Sequence, residues 1–539
     1  MLTLFLLMSL TAAAADSVRT VSVFYAKGKY TTKFDTFAQG ASAFARFDNA
    51  SNATGWGKLD VNTTTTDLTS YYAAGLAEGV LTCHFVAAVA LNNGDVALQK
   101  NEGLRNYTLE TIKFTRQMAE QNDDDFWLVV KQILAQFDGL VEGYGRSECS
   151  AKQPLNSLDM WFMQMDGDLE DLTNKFSKDK KSTTTQRPQH CSSLVKWNDD
   201  YSDVYFGHAT WDIYNNAAPR IFKTYTLPVK LNGSTIMHTT AFSGTGPWLS
   251  SVDDFYVVTG HGNFGITETS NTVLNTDLYK KVKPSSLLCW IRVIAANRLA
   301  RNGKDWGQVF SMHHSGTYTN QWQIIDLNLF NPGQPALTKG LLTIVEEIPG
   351  LMHIGDETKY LQQHGHWPSF NVPYYNDIRE ANGNYNGSWS KAPRKKLFEK
   401  FQHTVKSIDT MKSIMRWNKY QTTPIISGGN PCAAIACRAD LRSTGTHPQS
   451  DFGAIDAKVT SYGSLMKKEN VSVGSTNSSS VTMKNTLKVY AANGPTHDDQ
   501  PAFCWSTSPT NPVPSHHLHP DCFRYGFEIF VPTLLSPDL

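Results

Sequence analysis

FSKDKKSTTTQRPQHCSSLVKWNDDYSDVYFGHATW, residues 176–211, contains the boundary on which the rest of the chain turns. After Phe176 the first half has no apolar periodicity. Lys178, Lys180 and Lys181 precede, and Arg187 follows, a run of three Thr, the composition of a linker. The second half begins at Cys191 and reads as a strand, CSSLVKW. A turn, NDDYSD, leads to a second strand, VYFGHATW. One cysteine therefore stands where a linker meets a structured core. Cutting the chain in front of it would expose a residue with both a thiol and a free α-amino group. An α-amine has an ordinary pKa of about 7.7–8.0, so it can serve as general base for its own side chain. The competing reading of any Cys in a secreted chain is a disulfide.

Working outward, the 539 residues exceed one ordinary core by the usual length prior. Hydrophobic residues are 40%, charged residues 18%, and the formal net charge is zero, which points away from nucleic acid and from an electrostatic membrane anchor. MLTLFLLMSLTAAAAD reads as a secretory signal with cleavage near Ala15, although no Lys or Arg precedes Arg19. No later run is long enough to span a bilayer. Eight Asn-x-Ser/Thr sequons fit secretory passage: Asn49, Asn52, Asn62, Asn106, Asn232, Asn386, Asn470 and Asn477. The expected organisation is a signal at 1–15, an N-terminal part at 16–175, a linker at 176–190 and a C-terminal part at 191–539.

There are eight cysteines. Cys289 lies inside an apolar helical stretch, SLLCWIRVIAANRLA, and reads as a buried free thiol. With Cys191 also free, six remain for three bridges. Cys432 and Cys437 are close enough to close a small loop, and Cys504 and Cys522 flank a Pro- and His-rich loop and could pair. HHLHPDC, before and including Cys522, matches no zinc spacing and reads as a surface loop. No metal and no cofactor are expected. Helical periodicity is strong at 126–141 and over 394–420, and strand-like runs dominate between 191 and 356, which indicates α+β layers rather than βαβ alternation.

There is no G-x-S-x-G elbow, H-E-x-x-H or P-loop. The polar candidates sit at strand ends. His208 follows Cys191 by 17 residues, the span of one hairpin, with Trp211 beside it. Thr269, Ser270 and Asn271 end a strand. Asn320 starts one and carries an amide suited to an oxyanion. Asn371 precedes Pro373 on an extended segment. Arg438 follows the Cys432–Cys437 pair.

Taken together and in order, CSSLVK, GHATW, SSVDDFYVVTG, ANRLA, SGTYTNQWQIIDL, EEIPG, RADL, FGAIDAKVTS and GPTHDDQPAFCWSTSP resemble the phospholipase B-like family, lysosomal and secreted proteins also called laminin-ancestor-like. The resemblance runs from about residue 185 to the C-terminus and is loose before that. It implies an α+β fold, the four-layer αββα sandwich of N-terminal nucleophile hydrolases, matured by a cut between His190 and Cys191. It implies Cys191 as nucleophile, with His208, Trp211 and Asn371 on family pocket positions. Ser270 stands where the family has Thr. Asn320 and Arg438 are assigned to substrate from the general layout of such enzymes. The implied reaction is acyl transfer to water on a phospholipid ester. The alternatives are an amidase on N-acyl or peptide substrates, or a processed glycoprotein with little catalysis. The partners expected are a lipid or N-acyl substrate and the chain's own cleaved N-terminal fragment, in a lysosomal or extracellular setting.

Overall fold

The computed structural model describes residues 17–177, 191–383, 389–443, 448–472, 479–533 and 535. His190 and the linker before it lie outside them. Two sheets dominate. The larger has eleven strands, ordered Leu351–Asp356, Leu342–Ile348, Asn320–Asp326, Phe264–Ser270, Phe255–Thr259, Ser234–Gly244, Arg220–Leu231, Trp56–Thr63, Ala43–Ala50, Ser17–Ala26 and Lys29–Phe34. The smaller has six: His366–Ser369, Ser192–Trp197, Val204–Ala209, Asp456–Ser461, Val489–Asn493 and Phe527–Phe530. Strands from before and after the linker share the larger sheet. They join where Trp56–Thr63 runs parallel to Arg220–Leu231, from Trp56 opposite Arg220 to Asn62 opposite Thr226.

Successive strand residues point to opposite faces, and the chain uses this to build three cores. Ile221, Val258 and Ile324 pack under the helices Leu68–Leu81, Asp125–Arg146 and Cys289–Leu299. Their neighbours Phe222, Val257 and Ile325 face the other way, against Val195 and Phe206 of the smaller sheet. Leu194 and Tyr205, again one residue away, pack with Leu397, Phe398, Met411 and Met415 on the far side of that sheet. Each such buried side chain contributes about 1.5–3 kcal/mol. The two sheets are also fastened by a polar link, in which Ser193 Oγ meets Gln323 Oε1 at 2.6 Å and Thr267 Oγ1 at 2.8 Å.

Leu68–Leu81 and Asp125–Arg146 approach backbone to backbone. A Cβ on Gly75 would run into the Gln136 carbonyl, and one on Gly139 into that of Tyr72. Small residues at both positions let the helices close. No single helix among the described residues is long and apolar enough to cross a membrane.

One sequence expectation changes. The single helix expected over 394–420 is two, Pro393–Phe401 and Ile408–Met415. Ser407 and Thr410 form a capping box that starts the second, while the expected apolar stripe still faces one core. As the sequence indicates, Pro349–Gly350 ends the strand Leu342–Ile348, and the turn leads into Leu351–Asp356, with Ile348 opposite Leu351.

Candidate active site

Cys191 directly precedes the strand Ser192–Trp197, is 3% exposed, and has φ +70°. A β-carbon in the left-handed region costs about 1–2 kcal/mol, so the backbone at this residue is strained by its surroundings. Arg394 holds it in place. One guanidinium nitrogen donates to the Cys191 carbonyl and to Ser192 Oγ (3.1 Å); the other donates to Phe370 O (2.7 Å) and Asn371 Oδ1 (2.6 Å). The guanidinium lies 4.3 Å from the centre of the Trp211 ring. Burial lowers Arg394 to about 9, a shift that only an ionised Cys191 would oppose.

Asn371 is the second anchor. Its φ is +69°, a conformation Asn tolerates better than most residues. Its Nδ2 donates to Ser270 O at 2.8 Å and its backbone N–H to Thr269 Oγ1 at 3.2 Å. Thr269 Oγ1 in turn meets Ser369 Oγ at 2.7 Å. The amide is therefore well held.

His208 is fully buried, on the strand beside Cys191's own, with Ser193 opposite it in register. One ligand-type atom from each of Cys191, His208 and Glu268 lies within 4.8 Å of the other two. His208 Nδ1 sits 3.3 Å from Thr210 Oγ1. That hydroxyl donates to Asp253 O (3.3 Å) and accepts from Lys458 Nζ (2.5 Å). Its remaining lone pair suits an Nδ1–H, which leaves a lone pair on Nε2. Burial, then Lys458, push the imidazole well below its usual pKa, so it is neutral. Lys458 also pairs with Asp456 (2.7 Å), which pairs with Arg220 (3.2 Å), and Arg220 is ion-paired to Asp253.

Glu268 and Asp254 share a hydrogen bond. Burial and mutual repulsion raise Glu268 well above the carboxylate range, and burial raises Asp254 to about 7. The pair keeps a proton at neutral pH. The thiol of Cys191 is raised too, by burial and then by Glu268; the backbone N–H of Trp211 works against this. In the uncut chain the sulfur is a thiol, not a thiolate.

Two cavities meet here. The larger, about 950 Å³, is walled by Leu274, Phe370, Val372 and Phe452, with Asn371, Arg394 and Trp211 at its polar side. The second, about 610 Å³, is lined by Cys191, Ser270, Tyr318 and the acids Asp95, Asp166, Glu170 and Asp212. Trp211 and Ile213 belong to both, and the Trp211 indole N–H is fixed on Ile435 O at 3.1 Å.

The structure thus brings Cys191, His208, Trp211, Ser270 and Asn371 together. Asn320 is fully buried opposite Ser270, and neither atom of its amide has a partner, but it lines neither cavity. Arg438 is the clear departure. It is turned away from both cavities and occupied by Asp440 (2.7 Å) and the carbonyls of Thr496 (2.5 Å) and Pro501 (2.8 Å), so it ties loops rather than meeting a ligand. Cys432–Cys437 and Cys504–Cys522 are bonded, as is Cys83–Cys149, and Cys191 and Cys289 are free. Among the sequons, Asn52, Asn106 and Asn232 are exposed, whereas Asn49 and Asn62 are buried in strands with no room for a glycan. The side chains of Asn386, Asn470 and Asn477 lie outside those described.

Sequence reasoning missed Arg394, Glu268, Asp254 and Lys458. Arg394 sits in a polar helix start, APRKK, that carries no signal. Glu268, inside the strand FGITETS, carried one only once burial was known: a carboxylate in a buried strand is rare without a task.

These features define a class, an α+β protein whose facing sheets hold a buried thiol between two cavities. The chain belongs to the phospholipase B family, whose model matches residues 43–530. It is 32% identical to Phospholipase B-like protein B of Dictyostelium discoideum over 511 residues, 90% of this chain and 84% of the relative. It is 30% identical to Phospholipase B-like 1 of Rattus norvegicus (91% and 88% covered) and 31% identical to Phospholipase B of Crotalus adamanteus (93% and 90%).

Proposed function

We propose that the chain is a phospholipase B-like hydrolase that cleaves acyl esters of phospholipids with Cys191, freed as an N-terminal residue by self-cleavage after His190. The observation that carries this reading is the state of Cys191: a buried, free cysteine in strained backbone, clamped at its carbonyl by Arg394 and lining a cavity. Cutting the preceding peptide bond releases the strain and supplies an α-amine next to a thiol that is otherwise held protonated. Family membership and the names of the relatives support a lipid-ester hydrolase. The three successive cores, helix on sheet, sheet on sheet and sheet on helix, support the αββα sandwich of N-terminal nucleophile hydrolases.

In this reading the acyl chain lies along Leu274, Phe370 and Val372. The Cys191 sulfur attacks the ester carbonyl while its α-amine takes the thiol proton. Asn371 stabilises the oxyanion, the alcohol leaves with the amine's proton, and water hydrolyses the thioester. The three disulfides support passage through an oxidising compartment, hence a secretory, lysosomal or extracellular setting.

The test has two parts. Mature protein should give fragments of about 39 and about 19 kDa before glycans, in proportion to residue number, held together under native conditions, the larger reading CSSLV at its N-terminus. The cleaved protein should then release fatty acid from a mixed phospholipid set and leave N-acyl amides largely intact. An active, uncut chain refutes the nucleophile, and release from amides alone refutes the ester assignment.

A further inference from the structure

The groups around the Cys191 sulfur are left unsatisfied in a particular way. His208 Nε2 is buried without a hydrogen-bond partner, and both oxygens of Glu268 and Asp254 Oδ1 are buried with no partner beyond the hydrogen bond that the two carboxyl groups share. Buried polar atoms almost always find partners, so four in one place point to something that completes them. Thiol, neutral imidazole and carboxylate form a ligand set suited to zinc, and the ligand atoms of Cys191, His208 and Glu268 already lie within 4.8 Å of one another. Zinc bonds of about 2.0–2.3 Å would place them about 3.3–3.8 Å apart, a contraction that side-chain rotation can supply.

The surroundings fit as well. Thr210, itself held by Lys458, faces Nδ1 of His208 and leaves Nε2 as the free ligand, the usual outer-shell arrangement for a metal-bound histidine. Asp254 stands beside Glu268 to fill a fourth position or bind a coordinated water. The cavity that reaches Cys191 is lined by Asp95, Asp166, Glu170 and Asp212, which favour entry of a cation.

We propose that Cys191, His208 and Glu268 form a binding site for a thiophilic divalent cation of the zinc type, and that its occupancy blocks the nucleophile. Binding forms S–Zn, N–Zn and O–Zn bonds. The thiol proton and the proton shared by Glu268 and Asp254 leave to solvent, no electron is transferred, and a doubly charged ion replacing two protons leaves the net charge of the pocket unchanged. The blocking half rests on the assignment of Cys191 as nucleophile; the binding half does not.

The test uses Co²⁺ as a spectroscopic probe on chelator-treated, cleaved protein. One Co²⁺ per chain should bind with a thiolate-to-cobalt charge-transfer band and the intense d–d bands of a tetrahedral site, and Zn²⁺ should displace both. Cys191→Ala, tested as the uncut chain beside uncut wild type, should lose the charge-transfer band, and cleaved Cys289→Ser should keep it. Glu268→Gln, which keeps the shape of the side chain, should weaken binding by at least about tenfold, with its circular dichroism unchanged. Binding to His516, His517 and His519 instead would give no thiolate band and would overturn the site. X-ray absorption on the zinc-loaded wild type, which needs no variant, should show one sulfur among nitrogen and oxygen ligands. A wild type with no thiolate band at millimolar Co²⁺, a zinc shell without sulfur, or wild-type affinity in Glu268→Gln overturns the site. Binding without loss of phospholipid turnover overturns the blocking role alone.

Discussion

The two free cysteines lie in regions that burial does not distinguish. Cys191 and Cys289 are 3% and 2% exposed, and burial raises both thiols well above their usual pKa. Around Cys289, in the helix Cys289–Leu299, polar groups are largely matched. Its backbone N–H donates to Asp168 (3.3 Å), which accepts from Thr317 (2.5 Å). Arg292 reaches the Leu287 and Phe310 carbonyls, Ser315 and Glu347, and His314 meets the same Glu347 at 2.8 Å. Around Cys191 the opposite holds. A histidine nitrogen has no partner, two carboxyl groups have little but each other, the backbone is strained, and two cavities converge. A buried thiol is therefore uninformative by itself. What marks the functional one is unsatisfied chemistry beside a space that a ligand can enter.

The most direct way to break this contrast is to alter each cysteine in turn. Cys191→Ala should leave the chain uncut and lower turnover at least about 1,000-fold, the scale of a lost nucleophile. Cys289→Ala should be cut and active, and should cost only about 1–2 kcal/mol of stability. Gel analysis, turnover and thermal melts compare them directly; normal processing of Cys191→Ala would hand the cut to an external protease.

Asn371 tests whether the polar shell at Cys191 acts on substrate. Asn371→Ala should lower turnover about 100-fold, the usual loss for one oxyanion donor. Because this residue has positive φ, Asn371→Gly serves as the control that removes the amide without backbone strain. Full turnover in a cleaved, folded Asn371→Gly protein would reduce the residue to a structural tie.

Arg394→Lys keeps a charge and removes the fork that joins Cys191, Phe370 and Asn371. As a positioning residue, its loss should lower kcat about tenfold with KM nearly unchanged. A change confined to KM would place the guanidinium on substrate instead.

The smallest effect distinguishes the regions by pH. Burial raises Asp254, near Cys191, to about 7 and Asp168, near Cys289, to about 6. An unfolded Asp titrates near 3.9, so the folded state binds the extra proton between that value and the raised one. Stability from these groups is complete below about pH 4 and is lost as pH rises towards 6 or 7. Asp254→Asn should flatten the dependence of melting temperature up to about pH 7, and Asp168→Asn only up to about pH 6. Identical slopes in both variants and the wild type would show that neither proton is held.

Much of this was legible in the chain. Strand-like runs located Ser192–Trp197 and Phe264–Ser270, helical spacing located Asp125–Arg146, and the ordered phrases after residue 185 pointed to the family that the whole-chain comparison identifies. Cys191, His208 and Trp211 were readable because each sits at a strand end inside such a phrase, and Asn371 because it stands just before Pro373. Arg438 misled because an Arg beside a disulfide looks the same whether it faces a cavity or ties a loop, and its partners Thr496 and Pro501 lie some sixty residues away.

The sequence by itself determined the strand and helix pattern, the linker before Cys191 and the identity of that residue as the candidate nucleophile. These are local properties, set by side-chain spacing and composition. Only the tertiary structure decided that Arg394 closes on Cys191 across 203 residues, that Glu268 and Asp254 share a proton beneath the sulfur, and that Arg438 points elsewhere. Protonation and hydrogen-bond satisfaction belong to an environment, not to a residue type. That environment exists only once distant strands have packed and water has been excluded.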